Sequence, residues 1–366
     1  MELMYRNDLI GTYSSNSISI KNQTQESIKY FGSNVLIEGA LLENFIRDRI
    51  ISPSRLDIHK ILTLVKMHTY NIYEISLITR LINPMDGFWL RANSEESYES
   101  FVIPRLMEMF NETKLQHLNT MSSGGQNIKY YTKYKDKFGV KKRRLAGLTY
   151  DSESELAVYN LANRIRVSVC PTYKVDEDNT FSEFQFNFLN EEIVHMRHLL
   201  PDYNEGESTY EQVVRAFPSI KIDIVKMLIL DYITAQDDRH LSNYAMKGDS
   251  LYPLYDNGRS LFWDCREQTI IESLTDVKLY STSFGTVGTY YEILSDISKE
   301  GIKFSELVDL DLTKQDIEKC YEEEYMDYRC KLLVEWTYLT IQELKKLDAE
   351  NSKSNLTNKS NIFKTN

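Results

Sequence analysis

Apolar positions change period several times along this chain, and each change marks an element. Ile58, Ile61, Leu62 and Val65 recur at the spacing of one helix face. Residues 183–189 instead alternate strictly, with Phe184, Phe186 and Phe188 on one side, which predicts a half-buried strand. Residues 167–175 read as a partner strand, and 176–180 as the polar turn between them. Asp151 and Ser152 open a helix with cap-type residues, and Glu153 adds a carboxylate to its first turn. Helical periodicity returns at Ile222, Val225, Leu228, Ile229 and Tyr232, on a segment that runs straight into Asp237-Asp238-Arg239-His240. Two short apolar runs, 244–246 and 251–254, then flank Gly248-Asp249-Ser250, the composition of a hairpin turn. Residues 314–345 form another long helical stretch. The last residues, 351–366, are rich in Asn, Ser, Lys and Thr, which predicts disorder.

These periods divide the chain into a leading region (1–115), a β-rich part (116–190), a mostly helical part (191–350) and a tail (351–366). With 366 residues there is enough chain for two or three domains and a sizeable core. The net charge of −11 argues against a surface that coats nucleic acid, so no direct nucleic-acid binding is expected. No apolar run approaches the ~20 residues of a membrane span. The first residues lack the basic start and apolar centre of a signal peptide. A cytoplasmic protein with no membrane partner is therefore expected. Cys170, Cys265, Cys320 and Cys330 are scattered without metal spacing and read as idle thiols. His195 and His198 lie three apart, with no acid or thiol to complete a site.

Chemistry concentrates at the hairpin. A hairpin returns to where it began, so Asn243 and Asp256, thirteen residues apart, become neighbours, with Asp238 at the same mouth. One carboxylate to orient a hydroxyl, with an amide and a second carboxylate for Mg²⁺, is the set that kinase-type phosphoryl transfer needs. Upstream, residues 122–128 are a small-residue loop containing Gly124 and Gly125, whose backbone can approach phosphate closely. A strand rich in tyrosine and lysine follows. Lys129, Lys133 and Lys135 share its parity, so alternation does not choose among them. The run Lys141-Lys142-Arg143-Arg144 reads as a solvated loop.

The segment Asp238-Arg239-His240-x-x-Asn243, followed by Pro253-x-Tyr255-Asp256-Asn257-Gly258, resembles the core of the HipA-like serine/threonine kinases. The resemblance implies an α+β, bilobal protein-kinase-like fold. A small β-rich N-lobe and a mostly helical C-lobe would follow an extra N-terminal region. It implies Asp238 as the catalytic aspartate and Asn243 and Asp256 as Mg²⁺ ligands. Lys133 would bind the α/β-phosphates of ATP, held by Glu155, with Gly124 and Gly125 closing over the nucleotide. Asp86–Arg91 resembles a short aromatic strand that precedes the core. Ser122 and Ser123 are placed for autophosphorylation. His240 is expected to bond backbone or the Asp237 carboxylate rather than act in catalysis. Asn257 departs from the aromatic that ordinary protein kinases carry after the metal aspartate. The implied partners are a protein substrate and a small antitoxin or repressor. A pseudokinase that senses nucleotide as the partner of such a repressor is the competing expectation.

Overall fold

The computed structural model describes residues 1–14, 16–111, 127–147, 149–200, 202–281, 284 and 288–362, with 352–362 as backbone only. Its contacts gather into two compact units. The first holds residues 1–145, 171–203 and 245–248, so the leading region shares a unit with most of the β-rich part, whose residues 146–170 fall in the second. The second holds residues 146–170, 204–244 and 249–366.

The first unit carries two antiparallel sheets. One is built from β1 (Glu2–Tyr5), β2 (Asp8–Tyr13), β3 (Ser17–Ile20), β4 (Leu36–Glu38) and β5 (Phe88–Arg91), in the order β4-β3-β2-β1-β5. The aromatic segment expected at 86–91 is thus an edge strand of this sheet. Helices α1 (Gln25–Phe31), α2 (Gly39–Arg47), α3 (Ile58–Leu64), α4 (Ile72–Thr79) and α5 (Ile103–Met109) belong to the same unit. Leu3, Ile10, Phe31, Phe45, Ile46 and Phe88 are central to its core, and Ile58, Ile61 and Leu62 bury the face their spacing marks. Within that core lies a fully buried arginine. Arg49 donates to Asp86 at 2.6 Å and to the Phe45 carbonyl at 2.7 Å, with its guanidinium 3.7 Å from the Phe45 ring. His198 spends its ring on Asp48, whose carboxylate also takes Arg197 and feels His195 nearby, so an acid the spacing did not reveal joins these side chains.

The second sheet comprises β6 (Lys129–Tyr134), β7 (Lys137–Arg143), β8 (Thr172–Lys174) and β9 (Asn179–Glu183), in the order β6-β7-β9-β8. Two sequence expectations need correction here. Lys141, Lys142 and Arg143 are not a loop: they lie in β7, paired on both sides, and Lys142 is buried. Backbone pairing on two edges outweighs the preference of a charge run for water, because long cationic side chains can still extend their heads outward. The phenylalanine stripe is core, as its alternation indicates, but it is not a strand. The ladder stops at Glu183, and the Asn187 carbonyl accepts from Asn190 and Glu191 in a turn. The rings cluster regardless: Phe110 lies 4.8 Å from both Phe138 and Phe188, and 6.0 Å from Phe184. Elsewhere in the unit, β10 (Val194–His195) pairs antiparallel with β11 (Ala245–Lys247).

The second unit is mostly helical: α6 (Asp151–Ile165), α7 (Thr209–Ala216), α8 (Lys221–Ile233), α9 (Glu267–Ser273), α10 (Tyr290–Lys299), α11 (Phe304–Leu307), α12 (Lys314–Tyr321) and α13 (Asp327–Ile362). The apolar spacing of α8 reads as one buried face. In the fold Ile224, Val225 and every residue from Met227 to Ile233 are buried, because α10 and α13 both pack on it. Backbone helix in α13 continues to Ile362, into the segment whose composition predicts disorder. Extending an existing helix fixes one residue per hydrogen bond and needs no new nucleus. Burial pushes the thiols of Cys265, Cys320 and Cys330 up to about 11, away from reactivity.

Candidate active site

Everything that follows is anchored by the C-terminus of α8. The helix ends at Ile233, Thr234 caps it, and Ala235 turns the chain with φ 48°. From there the backbone is tied to a returning strand of chain. The Leu261 N–H donates to the Thr234 carbonyl at 2.6 Å, and the Asp237 N–H to the Arg259 carbonyl at 3.1 Å. Leu261, Phe262 and Asp256 also adopt positive φ, at 57°, 56° and 58°. A left-handed conformation costs a non-glycine residue of order ~1 kcal/mol. Four such residues around one loop show that the surroundings, not local preference, set this backbone.

Arg239 is the hub. It is 1% exposed. Its Nε and Nη2 donate to the Asp231 carboxylate at 2.9 to 3.2 Å. Its Nη1 donates to the carbonyls of Asn243 and Tyr255, both at 3.0 Å, and Nη2 reaches Asn257 Oδ1 at 2.6 Å. Two carbonyls on one nitrogen lie within about 6 Å of each other. The backbones beside Asn243 and Asp256 are thereby brought together, as the hairpin spacing predicts. Burial opposes charge on Arg239, but the adjoining Asp231 carboxylate more than offsets this and keeps the guanidinium firmly protonated. Sequence reasoning did not find this hub. Its signal was a single acid, Asp231, inside an otherwise apolar helix, eight residues before an arginine.

Asn243 is 1% exposed, and its amide nitrogen donates to the Asp238 carbonyl at 2.6 Å, with the Asp238 carboxylate at 3.4 Å. The other amide atom, Oδ1, is a buried acceptor with no partner among the described residues. An orphan acceptor is costly unless something electropositive meets it. A hard cation such as Mg²⁺ takes oxygen ligands, commonly one or two protein groups with the rest from water and phosphate. The Asn243 oxygen and the Asp256 carboxylate fit that chemistry. Among the described residues no cluster of three or more His, Cys, Asp or Glu could hold a metal unaided.

Asp238 is partly exposed, with the Arg259 Nε 3.5 Å from its carboxylate. Its N–H is held by the Gln236 side chain at 2.9 Å. His240 accepts the Ser242 N–H on Nδ1 at 3.2 Å, a backbone contact of the expected kind. The Asp237 carboxylate is taken instead by the Trp263 indole N–H at 3.1 Å. Surrounding protein pushes Asp237 up to about 6, with Asp238 and Asp264 reinforcing this and Trp263 and Arg259 opposing it. Glu155, on α6, is buried and lies against Gly258, where a Cβ would come within 3.4 Å of its carboxylate oxygen. Any side chain at 258 would press on Glu155 and on the Asp151 carbonyl at 3.1 Å.

The three lysines of the phosphate-binding expectation lie in the first unit and differ in burial. Lys129 is 6% exposed. Lys133 is exposed and pairs with Asp136 in the β6–β7 turn at 3.0 Å. Lys135 is exposed at that turn, with the Tyr134 ring at 5.2 Å. Ser122, Ser123, Gly124 and Gly125 lie outside the described residues.

No protein-family model matches the chain, and no curated protein does. Solved structures do. The HipA toxin of Shewanella oneidensis MR-1, solved with HipB and operator DNA, aligns over 96% of this chain and 99% of its own, with a TM-score of 0.55 and 11% identity. The proinflammatory kinase CtkA of Helicobacter pylori aligns over 64% of this chain and 93% of its own, with a TM-score of 0.47 and 16% identity. The likeness to HipA shows a common fold, a mixed architecture of antiparallel sheets and helices.

Proposed function

We propose that this chain transfers the γ-phosphoryl group of ATP to a serine or threonine hydroxyl of a protein. The observation that carries this reading is Asn243. It is a buried amide aimed by Asp238, with an oxygen unmet among the described residues, on a loop that Arg239 ties to the segment bearing Asp256. The acceptor oxygen bonds to the γ-phosphorus as the bond to the ADP oxygen breaks, and the hydroxyl proton passes to Asp238. Such a transition state is loose, so positioning and neutralisation dominate. Mg²⁺, when bound, would neutralise charge on the phosphates, with Asn243 and Asp256 as its protein ligands. The proposed phosphate-binding lysine comes from β6 or the turn that follows it. The family resemblance favours Lys133, burial favours Lys129, and Lys135 is the third competitor. Glu155 and the loop at Gly124 and Gly125 keep their proposed nucleotide roles. A small antitoxin or repressor is the proposed partner, since HipA shares this fold and is found with HipB.

The test is phosphate transfer from labelled ATP with Mg²⁺, comparing wild type with Asp238→Ala and Asp256→Ala. Each variant is expected to lose ~10²–10³-fold, the usual loss for one electrostatic partner of a transition state. Transfer that survives both substitutions would overturn the reading. Absent transfer with a rise in melting temperature on adding ATP would leave a nucleotide-sensing partner instead.

A further inference from the structure

Beside the candidate catalytic loop, and wholly within the second unit, lies a cleft of about 570 Å³. One wall is Asp237, next to Asp238 in the chain. α9 and the turn after it supply Glu272 and Asp276, and Leu279, Tyr280 and Trp336 complete much of the remainder. Three features set it apart from an ordinary surface hollow.

The first is charge. Three carboxylates line the cleft, and none of Asp237, Glu272 and Asp276 makes an ion pair among the described residues. The nearby cations pair directly with other carboxylates, although Arg259 also acts on Asp237 without a direct ion pair. Arg259 lies against Asp238 and over the Trp263 ring at 5.2 Å. Lys278 pairs with Glu343 at 3.1 Å. The second is an unmet donor. Trp336 is fully buried and lines the cleft, yet its Nε1–H finds no acceptor among the described residues. The third is an apolar lip: Leu279 is 71% exposed. An extended polypeptide with a cationic side chain offers what each lacks. It brings a positive charge, backbone carbonyls and aliphatic methylenes, and the volume suits a few residues.

We infer that this cleft is an acceptor-side specificity pocket, which receives an arginine or lysine of the polypeptide whose hydroxyl is presented to Asp238. This rests on the phosphotransferase reading above and names the substrate class for it: basic segments flanking the acceptor residue. The chain's net charge of −11 favours the same partners at longer range.

The test uses the full chain and a fluorescently labelled peptide with arginines around an alanine, the alanine standing where the acceptor serine would be. Its twin carries citrulline, which keeps the shape of arginine without the charge. The arginine peptide should bind about tenfold more tightly, and added salt should erode the difference. The double variant Glu272→Lys/Asp276→Lys, both at exposed positions, should abolish or invert the preference while its melting temperature stays close to wild type. Equal binding of the two peptides, or a preference that persists in the double variant, overturns the inference. No phosphate moves in this assay, so the serine version of the peptide is then offered with Mg²⁺ and ATP. Preferential binding without transfer upholds the cation-selective cleft and removes the phosphotransferase reading. Transfer that ignores the arginines does the reverse.

Discussion

Two deeply buried arginine–aspartate pairs, one taken from each unit, serve different ends. Arg49 faces Asp86 among the rings of Phe45, Tyr30 and Phe88, and its Nε–H finds no partner among the described residues. Burial raises the Asp86 carboxyl, with Arg49 opposing that rise. Arg239 faces Asp231, but its remaining donors go to two loop carbonyls and one side chain, and its Nε is satisfied. The first pair is packed as an aromatic sandwich. The second is a bracket that holds two segments of backbone in register. A buried ion pair is poor evidence for stability in itself, so the informative question is what else the guanidinium grips.

Substitution can break this comparison. The largest effect is expected for Arg239→Met, which strands the Asp231 charge. It should cost ~3–5 kcal/mol in urea unfolding and abolish phosphate transfer. Adding Asp231→Leu should restore much of the stability, since apolar replacements of a buried pair are often tolerated, but no activity. The corresponding pair Arg49→Met with Asp86→Leu should recover stability and keep transfer per folded molecule near wild type. If the Arg239 double variant also regained activity, the bracket interpretation would be wrong. Next in size is Asn257→Ala. It leaves a buried guanidinium donor unmet at a cost of ~1–3 kcal/mol, and transfer rates should fall through kcat more than KM.

A smaller effect separates strain from function. Asp256 sits at φ 58°, so Asp256→Gly should stabilise the fold by up to ~1 kcal/mol while removing transfer. The smallest effect concerns pH. Asp237 has a folded-state value raised from 3.8 to about 6. The native state therefore holds the proton more tightly than the unfolded chain. This group's contribution is greatest below pH ~4, declines as pH rises to ~6, and is constant above. Although burial raises this group, its side chain keeps contact with solvent, and screening should keep the change below ~1 kcal/mol. Urea midpoints across that range should show the decline in wild type and lose it in Asp237→Asn.

How much of this was legible beforehand depends on the range of the interaction. The approach of Asn243 to Asp256 follows from turn chemistry at Gly248 and from strand geometry, both local. The helix at Asp151 follows from the acids of its first turn, whereas the expected side-chain cap is absent and Tyr150 holds the cap position. The Asp231–Arg239 bracket was hidden because both partners look anomalous or merely solvated until α10 and α13 bury α8. The same blindness put Lys141, Lys142 and Arg143 in a loop, since nothing local reveals that two neighbouring strands will claim them. At Phe184, Phe186 and Phe188 the period correctly marked burial, but the backbone departs from a ladder once the rings are satisfied by Phe110 and Phe138. Choosing among Lys129, Lys133 and Lys135 was beyond alternation, because all three share a parity. Burial divides them, and substituting each in turn would assign the role by loss of nucleotide binding.

The Arg239 bracket also bears on how the molecule fails when warmed. Its grip runs from the most buried helix of the second unit directly to the two loop segments, with no independently melting layer between. Heat inactivation should therefore coincide with cooperative unfolding of that unit rather than precede it. The Asn243 amide proton, buried and bonded to the His240 carbonyl at 2.8 Å, should exchange with solvent as slowly as those in the middle of α8.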